Sequence, residues 1–276
     1  LYTFDKSTGQ CQPLEVKDER LKQFLFYSGK ASNVYQCEPG SVLLLGDHVY
    51  RYTIATAHIE VADEEEGIEI AGTLIPFFHD GSITYLFDFS RIYAFDSVKN
   101  KLESIYTIEK DVFINCVSRD EHGLFWIATT AGLRCYDTEK QKDRQIPTTL
   151  FTNVNSVLSD LHGKIWIGAD QMLFAWLISE KKFVLFGESD GALANEYLEK
   201  PRLISNRGNV YMGGSKGLLY IDKNLPIESS GYPEMQLTNV LINGESVNGQ
   251  LEGTPVGISV PWNNKAITIH IMSCER

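Results

Sequence analysis

The sequence predicts an all-β protein assembled from repeated four-stranded units, on three observations. Asp120, His122, Gly123, Trp126 and Ile127 recur at identical offsets as Asp160, His162, Gly163, Trp166 and Ile167. Turn glycines at 40, 81, 123, 163 and 208 mark a period, with steps of 41, 42, 40 and 45 residues. After each glycine-led strand comes a second turn and an aromatic strand, as in Gly132 to Asp137, Gly217 to Asp222 and Arg91 to Asp96.

The elements follow in order from this period. Glycine permits positive φ and an aspartate folds its carboxylate onto the turn backbone, so Asp-x-x-Gly or Asp-Gly reverses a strand at low cost. A short apolar run such as Val154 to Leu158 precedes each glycine turn. Four short strands per unit of about 40 residues is the blade of a β-propeller. Five blades are expected near 14–57, 58–100, 101–145, 146–186 and 187–226, with the outer strand pair of an incomplete first blade at 1–12. Because a ring normally needs about six to eight blades, the chain reads as a partial ring whose upstream blades are missing, the alternative being closure by other segments of the chain. Beyond Pro226 the period fails, and 227–233 reads as a linker. Leu237 to Val247 is a strand entering an Asn243-Gly244 turn, a strong hairpin signal, so 234–276 reads as the start of a small, truncated β-sandwich.

With 276 residues and 43% hydrophobic content, the chain holds a sizeable core. Its formal net charge of -11, with no basic stripe, argues against nucleic acid as a partner. Part of the charge is local: Asp63-Glu64-Glu65-Glu66 with Glu69 reads as a solvated loop, a cation site there being the secondary reading. Cys11, Cys37, Cys116, Cys135 and Cys274 show no C-x-x-C pair and read as buried apolar fillers, not as a disulfide framework or zinc site. No window approaches eighteen consecutive apolar residues, and the first residues show neither an initiator Met nor a signal peptide, so the chain reads as a piece of a longer protein.

The pattern D-x-x-G-x-x-W-I-G-T-x-x-G-L-x-x-Y-D, matched from Asp120 to Asp137 and more loosely from Asp160, resembles the two-component regulator propeller repeat. In that family, found especially in gut Bacteroides, blades precede a tyrosine-rich immunoglobulin-like domain, a membrane span and a histidine kinase. Phe186 to Tyr197 resembles the start of the family's last blade, and Leu237 to Gly244 the start of its sandwich. The resemblance covers about residues 38–276 and is degenerate in the first two blades. At 169–177 the chain departs from it: Ala169-Asp170-Gln171-Met172-Leu173 lacks the turn glycine, so that turn is expected to differ in shape. What the resemblance implies is a periplasmic, non-catalytic sensor ectodomain that binds an oligosaccharide as a homodimer and signals to a kinase outside this chain, with a membrane span only beyond it. It implies no cofactor and no metal.

Other motifs have plainer readings. Gly213-Gly214-Ser215-Lys216-Gly217 fits the G-x-S-x-G nucleophile elbow, which needs a strand-to-helix turn, but a strand follows here. His79, His122 and His162 sit on the turns of three different blades, so they follow the repeat and do not converge. Trp126 and Trp166 are expected to pack between blades. Ligand residues are expected on the face where innermost strands begin, which selects His48, Asp88, Thr130, Asp170, Gln171 and Lys216 from the turns, with Asn153 and Asn195 from inter-blade connections. The competing functions are a propeller lyase or other glycan-active enzyme, which needs a base converging on one mouth, and a protein-interaction scaffold.

Overall fold

A computed structural model of the chain describes residues 2–13, 17, 19, 33–46, 48–64, 66–146, 151–187, 190–192, 195–227, 234–246 and 266–274. They fall into two compact units, Leu1–Leu225 and Pro226–Arg276. The first unit opens with a hairpin of β1 (Tyr2–Asp5) and β2 (Gln10–Pro13), and five antiparallel sheets follow in chain order. The first sheet contains β3 (Asn33–Glu38), β4 (Ser41–Leu45), β5 (Val49–Thr53) and β6 (His58–Val61). A two-residue strand, β7 (Asp63–Glu64), pairs in parallel with the outer edge of the second sheet, formed by β8 (Ile75–Asp80), β9 (Ile83–Phe87), β10 (Arg91–Asp96) and β11 (Lys101–Thr107).

The third sheet holds β12 (Ile114–Arg119), β13 (Leu124–Thr129), β14 (Gly132–Asp137) and β15 (Lys142–Arg144). The fourth holds β16 (Val154–Ser159), β17 (Lys164–Ala169), β18 (Met172–Leu177) and β19 (Lys182–Phe186). The fifth has three strands, β20 (Tyr197–Ile204), β21 (Val210–Gly214) and β22 (Gly217–Ile221). The four-stranded, propeller-like unit expected from the period is thus present.

Two expected boundaries shift. Residues 58–61 and 101–107 do not open new units: β6 pairs with β5 and β11 with β10, so each closes the sheet before it. These outer strands carry few buried side chains and so leave little trace of the repeat in the sequence. The acidic run also differs from a plain loop, since Asp63 and Glu64 form β7, with Asp63 opposite Lys101.

The turn chemistry accounts for the regularity. Asp120 Oδ1 accepts from the amides of His122 and Leu124, and Asp160 Oδ1 accepts from those of His162 and Lys164, all at 2.8–3.0 Å. Gly123 and Gly163 at these turns have φ of 81° and 88°, a region where a side chain would be strained. Every first strand also carries a register shift, at Ile114/Cys116 and Val154/Ser156 in the two best-matched repeats, which bends the strand and tightens its twist.

The core lies between sheets. Leu133, Cys135 and Trp126 of the third sheet pack against Ile165, Ile167 and Phe174 of the fourth, all almost fully buried. Phe87 and Ile92 of the second sheet meet Val117, Phe125 and Ile127 of the third in the same way. Trp126 is therefore an inter-sheet packing residue, and Trp166, with its ring 5.3 Å from that of Phe186 in its own sheet, is equally buried, each being 2% exposed. Their indoles differ: Trp126 Nε1 donates to Asp120 Oδ2 at 2.8 Å, whereas Trp166 Nε1 is buried with no hydrogen-bond partner among the described residues.

The second unit contains β23 (Glu234–Ile242), β24 (Glu245–Ser246) and β25 (Ile267–Cys274), a three-stranded antiparallel sheet in the order β24-β23-β25. The Asn243-Gly244 turn forms as expected, both residues having positive φ. Of the linker read at 227–233 only Ile227 lies within the described residues.

Two measurements check this packing. A Cβ added at Gly168 would lie 2.4 Å from Tyr197 Cβ of the fifth sheet, so Gly168→Ala is expected to cost about 1–3 kcal/mol by overpacking, read as a fall in the urea midpoint. In a Cys274→Ser background, Cys11 is exposed while Cys37, Cys116 and Cys135 are buried, with burial pushing the Cys135 thiol up to about 12. Native-state labelling with a thiol reagent at pH 8 is expected to modify Cys11 at once and the buried three on the order of a hundredfold more slowly.

Candidate functional site

Antiparallel pairing fixes which turns share an end of each sheet. Where the first strand begins, the second strand ends and the third starts: Ile114 lies opposite Thr129, and Thr129 opposite Gly132. The second-to-third-strand turns at His48, Asp88, Thr130, Asp170–Gln171 and Ser215–Lys216 therefore all lie on that end of their sheets, as do the connections that hold Asn153 and Asn195.

Four of the eight expected residues form a continuous band across the fourth and fifth sheets. Asp170 Oδ2 accepts from Thr152 N at 3.3 Å, the Gln171 carbonyl accepts from Asn195 N at 3.1 Å, and Asn195 Oδ1 accepts from Lys216 N at 2.9 Å. The turn without glycine does have its own shape. Asp170 and Gln171 both adopt left-handed φ, 48° and 63°, whereas the third sheet places that conformation on Gly132. Asn195 is 5% exposed, and its amide fills the space over Gly214, where an added Cβ would lie 2.4 Å from Asn195 Nδ2.

The other four are not in this band. Thr130 Oγ1 accepts from Phe113 N at 3.0 Å, and Asn153 sits between the side chains of Asn115 and Asn155. His48 Nδ1 lies 2.9 Å from Glu64 Oε1. Asp88 is 1% exposed, and its carboxylate accepts from the amides of Ala71, Ser90 and Arg91 and from the hydroxyls of Ser90 and Tyr93. Oδ1 serves the turn and Oδ2 holds Ala71 and Tyr93, and burial together with the latter hydrogen bond holds the Tyr93 phenol well above its ordinary range.

Beside the band lies a pocket of about 260 Å³ that Asn195 and Lys216 line together with Tyr197 and Tyr220. Tyr220 is 51% exposed, and its ring is 5.3 Å from that of Tyr211. An amide, an ammonium and an accessible aromatic face are groups that can stack on a ring and hydrogen-bond its polar substituents.

A second cavity, of about 310 Å³, is bounded by the first strands of four consecutive sheets, β8, β12, β16 and β20. Phe77, Phe87, Val117 and Leu158 supply apolar wall, and Glu199, Lys200 and Arg202 supply charge. These three charged residues had not been expected at a site. Their signal is the 45-residue step between Gly163 and Gly208, longer than the others. Between the pairs Tyr197–Gly214 and Arg202–Met212, β20 advances five positions while β21 advances two, and the extra residues include Glu199 and Lys200.

No protein-family model matches the chain. Over 111 residues, 40% of this chain, it is 28% identical to Histidine kinase P4 of Formosa agariphila, and that stretch is 8% of the kinase. In structure it is similar to the extracellular domain of BT3049, described as a hybrid two-component system of B. thetaiotaomicron, with TM-score 0.55 and 16% identity over 85% of this chain and 32% of that one. The extracellular domain of BT4673 from the same organism, described as a one-component or hybrid two-component system, is also similar, with TM-score 0.56 and 14% identity over 75% of this chain and 30% of that one. The chain spans about a third of the length of these ectodomains, and at such identities the likeness is one of fold.

The left-handed turn gives a stability test. Replacing Asp170-Gln171 by Asn-Gly, the pair suited to two left-handed residues, is expected to stabilise the protein by about 0.5–1 kcal/mol, seen as a rise in Tm.

Proposed function

We propose that this chain is a non-catalytic, extracytoplasmic sensor module of a two-component regulator. It binds an oligosaccharide in the periplasm and signals to a histidine kinase outside this chain. The observation that carries the binding reading is the band from Asp170 to Lys216 beside the pocket lined by Tyr197 and Tyr220, because it joins fixed polar groups to an exposed ring on one face. The likeness of fold to extracellular domains of two-component systems supports the sensor part. In this reading 1–226 are propeller blades, 227–233 a linker and 234–276 the start of an immunoglobulin-like sandwich that passes ligand occupancy on within a homodimer.

The non-catalytic part rests on where the buried acids are. The carboxylates of Asp88, Asp120 and Asp160 accept from turn amides of their own sheets, so their lone pairs hold backbone in place. The histidines do not converge: His122 and His162 lie on the turns of different sheets, and His79 Nδ1 is 3.0 Å from Thr84 Oγ1.

Calorimetric titration with a panel of plant and host oligosaccharides tests the reading, with chromatography of each sugar afterwards. The expected outcome is saturable binding of one glycan that is recovered intact, weakened about tenfold or more by Tyr220→Ala, since a stacked aromatic contributes roughly 1–3 kcal/mol in such sites. Cleavage of the sugar would replace the sensor with a glycan-active enzyme. Silence across the panel with retained binding to a partner protein would replace it with a scaffold.

A further inference from the structure

We propose that the cavity between the four first strands is a second binding site, for a small ligand carrying a carboxylate. It shares no lining residue with the pocket beside Lys216, and it does not rest on the sensor reading.

The argument starts from Arg202. Its guanidinium donates to the carbonyl oxygens of Val157 and, at 2.8 Å, Val117, so it reaches from the fifth sheet to the first strands of the fourth and third. A guanidinium has five N–H donors, and these two bonds leave donors to spare. Among the described residues Arg202 forms no ion pair with a carboxylate. Its direct partners are carbonyl oxygens, and the planar fork suits a bidentate carboxylate.

The rest of the lining supports the same ligand. The widened segment of β20 brings Lys200 to the cavity together with one opposing carboxylate, Glu199, so two cations face one anion. Of the other polar side chains, the Ser118 hydroxyl already accepts from Ser159 N at 2.9 Å. Phe77, Phe87, Val117 and Leu158 offer wall for a ring or short chain, and about 310 Å³ accommodates a single sugar-sized molecule.

The chain's charge of -11 opposes anion entry, but distance decides the balance. Asp63 and Glu64 lie on the outer edge of the second sheet, four strand spacings or roughly 19 Å from β8. That is about twice the screening length in physiological salt, so the charge of this pair is largely screened at the cavity.

The test is titration of the protein with sodium glucuronate at physiological ionic strength and pH 7, with glucose as the neutral control. Saturable glucuronate binding is expected, weakened about tenfold by Arg202→Gln and several-fold by Lys200→Ala, and weakened by added salt. Lys110→Ala, which removes an exposed charge elsewhere, is expected to leave it unchanged. Because Arg202 also ties three strands together, Arg202→Gln is checked by circular dichroism, and Lys200→Ala keeps the test decisive if that variant unfolds. No glucuronate binding, equal binding of glucose, or binding indifferent to Lys200 each overturns the proposal. The oligosaccharide titration reads the fifth-sheet pocket through Tyr220, so either site can fail without the other.

Discussion

The unpaired edge of each innermost strand is the constraint on which this structure depends. In a free-standing four-stranded sheet, the first strand pairs on one side only, and its other N–H and C=O groups must find partners or cost stability. Side chains of neighbouring sheets supply them here. Asn115 Nδ2 donates to the Val154 carbonyl, Cys116 Sγ lies 3.2 Å from Val157 N, and Ser118 Oγ accepts from Ser159 N. The inner strand of the fourth sheet is thus completed by side chains of the third, and Arg202 of the fifth adds donors to the Val117 and Val157 carbonyls, which ties these three sheets together.

The apolar packing then makes the arrangement specific. Trp126, Leu133 and Cys135 are buried only because the fourth sheet lies over them. On the fifth sheet the corresponding positions are Tyr211, Leu218 and Tyr220, and Leu218 and Tyr220 are exposed. The same positions serve as core in one repeat and as accessible surface in another. In the fifth repeat the inner strand also widens between Tyr197 and Arg202, and both cavities border this sheet.

Much of the fold was legible because the turns carry it. Gly123, Gly163 and their aspartates are dictated by local backbone geometry, so they recur and expose the period. The outer strands β6 and β11 were misassigned to following units because solvent-facing strands need no particular residue. The site was partly legible. Antiparallel topology placed all eight expected residues on the corresponding end of their sheets, but it could not tell that Asp88 is engaged by its own turn while Asp170, Gln171, Asn195 and Lys216 link up. Arg202 was missed because its partners, the carbonyls of Val117 and Val157, are backbone groups of distant strands and leave no mark in the sequence.

The unequal environments of Trp126 and Trp166 give the protein two spectroscopic reporters at equivalent positions. One indole N–H is held by the Asp120 carboxylate, and the other is buried with no acceptor among the described residues, its ring 5.3 Å from that of Phe186. The indole proton resonances respond to that difference, so the two residues carry distinguishable signals although the sequence repeats them, whereas emission is shared with Trp176, 6.3 Å from Trp126. Trp166 shares its face of β17 with Gly168, which lies against Tyr197 of the fifth sheet, so motion at that junction registers on the Trp166 resonance while that of Trp126 serves as an internal reference.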